Sequence, residues 1–379
     1  MSSDELVEIR HHIHSIAEVS GEEDETSSYI AETLDSYDAD EITTGIGGNG
    51  ILARYQGDKE GPTVLIRCEL DALPIAEEND LDYLSKNEGV GHKCGHDGHM
   101  AILCGVAKKL SEEDISFGEV LLLFQPSEEN GRGAQRILDD EKFEDINPDY
   151  AIALHNVPGF EKHSIVVRSG PFAAASVGFI ARLKGETAHA AHPEQGKSPA
   201  AAVAQLIQGL SSLSQFNVSM DQAAKATIVE SHIGEKAFGT SPGYGEVMAT
   251  LRTYDDNLLK KLQKKAKELA EGVANTYEVR LKTEEDDPFS ATINDDETIE
   301  IIRSVAAEND FDIVEKEAPF GWSEDFGHII KKFKGALFGL GSGTDQPPLH
   351  AGNYDFPDEI IDTGVQMFIG FIKAVNKDS

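Results

Sequence analysis

The chain has 379 residues, of which 40% are hydrophobic and 7% aromatic, so its size suits two domains and its composition suits folded domains with buried cores. The formal net charge of −35 at pH 7 argues against a nucleic-acid partner, because phosphate groups would be repelled over most of the surface. No run of about 18 apolar residues occurs, so we expect no segment that crosses a membrane.

Cysteine usage and the first residues bear on the cellular compartment. The three cysteines are Cys68, Cys94 and Cys104, and an odd, sparse set of this kind does not form a disulfide framework. The opening residues lack the basic and apolar regions of a signal peptide. We therefore expect a cytoplasmic protein. We interpret its acidic excess as a very soluble or salt-adapted surface, in preference to a binding site for a cationic substrate.

Apolar patterning predicts an α/β arrangement in the first part of the chain. The predicted helices span about residues 4–19, 22–37 and 99–110, and the predicted strands span 51–55, 63–68, 120–124, 151–154 and 164–167. Because buried strands alternate with helices, we expect a sheet that is at least partly parallel. In such a sheet the chemistry lies where strands end and loops begin.

The pattern changes near Ala173. Predicted strands at 177–183, 226–231, 246–252 and 277–281, with helices at 199–213 and 257–274, give the order βαββαβ of a ferredoxin-like unit. The acidic residues 284–287, closed by Pro288, are interpreted as a linker, and after them helices near 297–308 and 359–375 flank a strand around 336–339. We therefore predict an outer domain of residues 1–174 and 288–379 and an inserted domain of residues 175–287.

The densest group of possible metal ligands lies in residues 91–99, which read GHKCGHDGH. Glycines let the backbone fold tightly enough for neighbouring side chains to converge on one point. Cysteine thiolate and imidazole are good ligands of zinc and neighbouring transition metals. A helix with its histidines exposed on one face is the alternative interpretation of this segment.

Three further signals lie elsewhere in the outer domain. Glu128 and Glu129 come directly after a predicted strand, His155 ends another, and His350 lies in a loop rich in proline and glycine. Two adjacent carboxylates cannot point the same way, so one can bind a metal while the other transfers a proton. Each signal alone has an ordinary structural explanation. Together they suit two metals sharing a bridge better than a closed structural zinc site, with the ligands Cys94, His96, Glu129, His155 and His350.

Short motifs recur in order along nearly the whole chain. They are RCELDALP at 67–74, CGHD at 94–97, PSEE at 126–129, LH at 154–155, HAA at 189–191, TLRT at 250–253, SEDF at 323–326, LH at 349–350 and DF at 355–356. In this order they resemble the M20 metallopeptidase family, in its amidohydrolase branch. Relatives in that branch include hippurate hydrolases, auxin–amino-acid conjugate hydrolases and N-acyl-amino-acid deacylases.

The resemblance implies a fold and a metal centre. The fold is an α/β, zinc-peptidase-like catalytic domain with a mixed, largely parallel sheet, plus an inserted ferredoxin-like α+β lid through which relatives often form homodimers. The cofactors would be two divalent metal ions, zinc or manganese, with cobalt or nickel as alternatives. Cys94 would bridge them, where other branches of the family use an aspartate. His96, Glu129, His155 and His350 would complete the two sites.

The same resemblance implies the remaining roles. Glu128 would be the general base, and Asp71 would orient a ligand from outside the metal sites. In the inserted domain, His189 would reach the substrate carbonyl or the oxyanion, and Arg252 would hold a substrate carboxylate. The expected partner is therefore a small N-acyl amino acid or peptide-like substrate, and neither a nucleic acid nor a membrane.

The expected reaction is metal-dependent hydrolysis of the amide bond of an N-acyl amino acid or a similar small conjugate. Two alternatives stay open: an exo- or dipeptidase on the same scaffold, whose pocket would hold a free α-amine, and a non-catalytic relative kept for binding. Departures from the family pattern leave the acyl group and the amino acid undetermined. Glu69 stands where an aspartate is usual, residues 186–188 replace glycines, and residues 239–242 lack the asparagine usual upstream of Arg252.

Two other patterns are set aside. Residues 239–243 match the G-x-S-x-G motif of serine hydrolases, but Pro242 has no N–H group for the oxyanion hole. Residues 45–50 match a dinucleotide-binding fingerprint, but a predicted strand follows them where that fingerprint needs a helix. We expect a hairpin turn at the second site.

Overall fold

The computed structural model describes residues 3–113 and 118–377, and the chain divides into two compact units. The first unit comprises residues 1–172, 292–320 and 324–379, and the second comprises residues 173–291 and 321–323. The second unit therefore interrupts the first. The described ranges 3–113 and 118–377 contain no helix long and apolar enough to cross a bilayer.

The first unit is built from elements at both ends of the chain. Before the insertion they are α1 (Ser3–Ser15), α2 (Asp24–Asp35), β1 (Glu41–Ile46), β2 (Gly50–Gln56), β3 (Thr63–Glu69), α3 (His96–Glu112), β4 (Glu119–Gln125), α4 (Gly133–Leu138), β5 (Tyr150–Pro158), β6 (Ile165–Val167) and β7 (Gly170–Ala173). The insertion contains β8 (Ala175–Lys184), β9 (Ala188–His189), α5 (Ala200–Ser211), α6 (Leu213–Asn217), β10 (Ala224–Ile233), β11 (Thr240–Ser241), β12 (Tyr244–Thr253), α7 (Asp256–Thr276) and β13 (Arg280–Phe289). After it come β14 (Thr292–Asn294), α8 (Asp296–Glu308), β15 (Ile313–Glu315), α9 (Gly327–Lys332), β16 (Gly335–Gly343) and α10 (Ile361–Lys377).

The main sheet of the first unit has the order β1-β2-β4-β3-β5-β16-β6-β15. Its centre is parallel, since β3 pairs in parallel with β4 and β5, and β5 pairs in parallel with β16. Antiparallel pairs join β1 to β2, β2 to β4 and β16 to β6. Every residue of β16 is buried, as expected for a strand covered on both faces. The predicted α/β fold with a mixed, partly parallel sheet is confirmed.

The second unit contains a four-stranded antiparallel sheet of order β10-β12-β8-β13. In β12 buried and partly exposed residues alternate, so one face of the sheet is covered. Helices α5 and α7 contribute the covering side chains, among them Leu206 and Leu262, which share a core with Phe179 and Leu251. The chain order βαββαβ agrees with the ferredoxin-like arrangement predicted from the sequence.

The linker predicted at residues 284–287 is wrong. These residues and Pro288 lie inside β13, which pairs antiparallel with β8. The strand has both exposed and partly buried positions and none that is fully buried, and its acidic side chains gave it the appearance of a loop. The strand predicted at 277–281 accordingly begins later, because α7 continues to Thr276. The hairpin predicted at 45–50 is confirmed by the antiparallel pair β1–β2.

Candidate metal centre

A glycine turn brings the Cys-Gly-His-Asp motif to the start of a helix. Gly95 has φ +89° and immediately precedes α3, which begins at His96. A Cβ atom on Gly95 would lie 2.7 Å from Oδ1 of Asn156, so both the backbone conformation and the close approach require glycine. Helix α3 begins three residues earlier than predicted. The alternative interpretation, a helix with its histidines exposed on one face, is wrong because His96 and His99 are buried.

The five ligand candidates named from the sequence come together in the first unit. Sγ of Cys94 lies 3.5 Å from Nε2 of His155. Glu129 is central, because its Oε1 lies 3.9 Å from Nε2 of His96 and its Oε2 lies 3.7 Å from Nε2 of His350. Cys94 belongs to two groups whose ligand atoms all lie within 4.8 Å of one another, one with His96 and His155 and one with Glu129 and His350.

The position of His155 differs from the prediction. It lies within β5, three residues before the strand ends at Pro158, because the pairing of β5 with β16 continues past it. Its Nδ1 donates to the backbone carbonyl of Asn156 at 2.9 Å. That bond leaves Nε2 as the ring nitrogen that faces Cys94.

His96 is oriented in the same manner. Its Nδ1 donates to the backbone carbonyl of Asp71 at 2.8 Å, which fixes the tautomer and turns Nε2 toward Glu129. Within the described part of the chain, Nε2 of His96 and Oε1 of Glu129 are both buried without a hydrogen-bond partner. Such atoms cost free energy unless something satisfies them. A nitrogen lone pair facing a carboxylate oxygen is the arrangement that a divalent cation would satisfy, so the residues fit the implied metals.

Asp71 also contacts the second glutamate of the Glu-Glu pair. Its Oδ2 accepts hydrogen bonds from Oγ of Ser20 at 2.6 Å and from the backbone N–H of Glu129 at 3.0 Å. Through its carbonyl and its carboxylate Asp71 therefore touches His96 and Glu129. This is the geometry expected of a residue that orients ligands.

Electrostatics within the cluster favour added positive charge. Burial, together with the negative charges of Glu324 and Glu129, raises the pKa of Glu128 well above its usual range. Burial and the nearby Asp71 raise the pKa of Glu129 to about 7. Burial and Glu129 also raise the pKa of the Cys94 thiol. A bound cation reverses shifts of this kind, because it stabilises the ionised form of each ligand.

Comparison with known proteins identifies the family. The model of the peptidase family M20/M25/M40 matches residues 65–374. The chain belongs to this family. The resemblance predicted from the motifs is thereby confirmed, and the metal-ligand candidates of this M20 chain all fall inside the matched region.

Named relatives of the M20 chain lie in the predicted branch. The N-acetyl-L-cysteine deacetylase of Bacillus subtilis is 31% identical over 90% of this chain and 81% of its own length. The hippurate hydrolase of Campylobacter jejuni is 30% identical over 94% of this chain and 93% of its own length. Among solved structures, a dinuclear metal binding peptidase of family M20 from Bacillus subtilis superposes with a TM-score of 0.81, at 26% identity, over 99% of this chain and 98% of that one.

The two predicted substrate-binding residues of the M20 chain belong to the second unit. His189 is exposed in β9, and its Nδ1 accepts a hydrogen bond from the backbone N–H of Ala191 at 3.0 Å, so the proton of the neutral ring is on Nε2. Arg252 lies in β12 and donates from Nη1 to the carbonyl of Gly321 at 2.7 Å and to Oγ of Ser323 at 2.8 Å. His189 and Arg252 thus belong to the second unit, whereas the metal-ligand candidates belong to the first.

Two other residues of the 91–99 segment have different surroundings. Asp97 is buried against Nη1 of Arg10 at 3.0 Å and Nδ1 of His14 at 2.8 Å, so it lies in an ion-pair network with α1. Burial lowers the pKa of His92 to about 3, and neither of its ring nitrogens has a hydrogen-bond partner among the described residues.

A buried charge cluster that the sequence reasoning missed adjoins the ligands. Arg67, fully buried, donates to Glu69 and lies 2.6 Å from Asp325 and 2.9 Å from Glu324. Glu69 also accepts from Nδ1 of His99 at 2.6 Å. The sequence contained one indication of this cluster. Arg67 and Glu69 are two residues apart in a strand, and their side chains therefore point to the same face of the sheet. Glu324 and Asp325 lie more than 250 residues from Arg67 along the chain, and this pairing cannot be read from one sequence.

Proposed function

We propose that this M20 chain hydrolyses the amide bond of N-acyl amino acids or similar small conjugates, using bound divalent metals. The observation that carries the proposal is the pair of adjacent carboxylates at the end of β4. Glu129 faces the histidine and cysteine ligands, while Glu128 has an oxygen within 4.8 Å of ligand atoms of His96 and Glu129 and accepts at Oε1 from the backbone N–H of Asp325 at 3.2 Å. One carboxylate is thus available to hold metal and the other to carry a proton.

The substrate class is supported by the relatives. One is named for deacetylation of N-acetyl-L-cysteine and another for hydrolysis of hippurate. Both names describe small N-acylated amino acids. The alternative, an exo- or dipeptidase, has no specific contact in its favour, and the assay below separates the two.

The proposed cofactors are two divalent ions, held by Cys94, His96, Glu129, His155 and His350. The membership of Cys94 in both ligand groups supports a bridging role for its thiolate. A thiolate and three imidazoles favour zinc, and manganese, cobalt and nickel are the alternatives. When bound, such metals lower the pKa of a water molecule and polarise a carbonyl group.

The side chains of the chain supply the rest of the proposed reaction. Glu128 accepts the proton of the attacking water at its carboxylate and then donates it to the departing nitrogen, a contribution of about 10²–10⁴-fold. Asp71 holds His96 and the backbone of Glu129 in place. His189 donates from Nε2 to the oxygen of the scissile carbonyl, and Arg252 binds the substrate carboxylate through its guanidinium group.

Compartment and assembly complete the proposal. The three cysteines are unpaired and buried, which supports residence in a reducing cytoplasm. A homodimer formed through the second unit is supported by apolar side chains on its surface, among them Phe216, Met220 and Val229, which are 82%, 106% and 61% exposed.

The experiment that tests the reaction is an assay of the purified protein after chelation, with zinc or manganese restored. N-acetyl and N-benzoyl amino acids and dipeptides form the substrate panel. We expect metal-dependent hydrolysis of the N-acyl compounds. Cleavage of dipeptides alone would establish the peptidase instead, and metal-loaded protein inactive on the whole panel would contradict the proposal.

The assignment of the base is tested by Glu128→Gln. We expect this variant to bind the same number of metal ions as the wild type and to lose about 10²–10⁴-fold in kcat, whereas Glu129→Gln should lose metal. The exposed Glu141→Gln is the matched control and should change neither quantity. Normal turnover by Glu128→Gln would refute the assigned mechanism.

A further inference from the structure

The turn that carries the Glu-Glu pair has an unusual backbone. Ser127, which is buried, has φ +57°, a conformation that is unfavourable for a residue with a Cβ atom. Such residues persist only where their surroundings impose the conformation, and they cluster at functional sites. Because Ser127 directly precedes Glu128, its φ angle sets the direction in which Glu128 leaves the turn, whereas the backbone N–H of Glu129 is held separately by Asp71.

Two buried carboxylates bind the backbone on either side of Glu128. The N–H of Ser127 donates to Oε1 of Glu23 at 2.9 Å, and the N–H of Glu129 donates to Oδ2 of Asp71 at 3.0 Å. Hydrogen bonds to an ionised acceptor are roughly twice as strong as neutral ones. Asp71 belongs to a motif already assigned, whereas Glu23 has no role in the proposed reaction.

Glu23 is itself fixed by several contacts. Its Oε1 also accepts from the N–H of Gly21 at 2.8 Å and from Oγ of Ser127 at 3.3 Å, and its Oε2 accepts from Nδ2 of Asn49 at 3.2 Å. It has no exposed surface. It occupies the residue before α2, yet its side chain makes no capping bond to that helix. The carboxylate of Glu23 therefore binds the backbone at Ser127 and does not cap helix α2.

Other bonds of the turn join it to the residues that follow. The N–H of Gly131 donates to the carbonyl of Glu128 at 2.7 Å, and the N–H of Gly133 donates to the carbonyl of Ser127 at 3.0 Å. Nη1 of Arg136 also lies 3.5 Å from Oγ of Ser127. The backbone N–H of Ser127 itself is held by Glu23.

We propose that Glu23 is a positioning residue: it holds Ser127 in its left-handed conformation and so aims Glu128 at the reacting groups. This inference rests on the proposed function, because it gives Glu128 the role of base. Glu23 acts through the backbone, without touching substrate. A displacement of the base by about 1 Å can cost on the order of 10²-fold in rate, so loss of the bond should lower kcat while leaving metal ligands and substrate contacts intact.

The test uses four variants of the full chain with metals bound. Glu23→Ala should lower kcat by about 10–100-fold, with KM and metal content within about threefold of wild type. Glu23→Gln should keep most of the activity, because an amide oxygen still accepts from the N–H of Ser127. Exposed Glu22→Ala is the matched control. The double variant Glu23→Ala/Ser127→Gly should recover most of the lost kcat, because glycine adopts positive φ without strain.

Several outcomes would overturn the inference. Wild-type kcat in Glu23→Ala, loss of metal in that variant, or failure of Ser127→Gly to restore kcat would each contradict it. A wild-type protein inactive on every substrate would refute the proposed function instead. In that case the crystal structure of Glu23→Ala tests the positioning role independently of activity. We expect Ser127 to leave the positive-φ region in this variant. A Ser127 that keeps its positive φ would refute the positioning role.

Discussion

Replacement of Arg67 by methionine tests the buried charge cluster most directly. Methionine preserves much of the side-chain volume and removes the only arginine or lysine charge that contacts Glu69, Glu324 and Asp325 among the described residues. Removal of one partner from a buried ion pair costs about 3–5 kcal/mol, because the remaining charges are left uncompensated. We expect a penalty of this size in the free energy of unfolding.

The corresponding change in melting temperature follows from the size of the first unit. It contains about 260 residues, for which the entropy of unfolding is about 0.5 kcal/mol/K. A loss of about 3–5 kcal/mol therefore lowers Tm by about 6–10 °C. The matched control is Arg303→Met, since Arg303 contacts Glu300 and Glu315 at the surface, where ion pairs contribute about 0–1 kcal/mol.

The penalty should depend on pH. Burial already raises the pKa of Asp325 to about 7, and Arg67 opposes that shift, so removal of Arg67 raises the pKa further. A carboxyl group with a raised pKa in the folded state destabilises the fold above its unfolded pKa of about 4, and the penalty fades as the pH falls toward that value. The difference in Tm between Arg67→Met and the wild type should thus be largest at pH 8 and smallest near pH 5. A Tm within 2 °C of wild type, or a difference independent of pH, would refute this reasoning.

Two further predictions concern the surface charge and the turn after the Glu-Glu pair. The net charge of −35 implies repulsion that salt screens, so Tm should rise between 0.1 and 1 M KCl; a constant or falling Tm would contradict this. A Cβ atom on Gly133 would lie 1.7 Å from the carbonyl oxygen of Pro126, so Gly133→Ala should displace the turn and lower both Tm and kcat. Gly272→Ala, at an exposed position of α7 with nothing within 4 Å of its Cβ position, should instead raise Tm slightly; equal effects of the two would refute the steric argument.

The fold was largely predictable because burial leaves a direct mark on the sequence. Strands β3, β4 and β5 are apolar runs, since both faces of the central sheet are covered. The acidic strand β13 was missed for the converse reason, because its exposed positions carry charges that resemble a loop. Helix α3 was predicted to begin late, since its first turn is made of metal-ligand candidates in place of apolar residues.

The candidate site was predictable where ligand chemistry is concentrated in short motifs. Cys94, His96 and the Glu-Glu pair stand out by residue type and spacing, and the structure brings them together with His155 and His350. The supporting contacts leave no local pattern. Glu23 is one of many glutamates in an acidic stretch, and its bond to Ser127 spans 104 residues of chain. The substrate-binding roles of His189 and Arg252 stay predictions.

The order of the main sheet has a consequence for synthesis of the chain. Strand β16, which pairs with both β5 and β6, is formed by residues 335–343, so the ribosome must synthesise the chain as far as residue 343 before the central strands of the sheet can all pair. Until then β5 presents an apolar edge that invites aggregation, while the second unit, contiguous except for residues 321–323, can fold earlier. His350 leaves the ribosome later still, so the full ligand set cannot exist on a nascent chain. A product truncated before residue 335 would therefore lack strand β16, which lies between β5 and β6 in the sheet, and would also lack His350 of the metal centre.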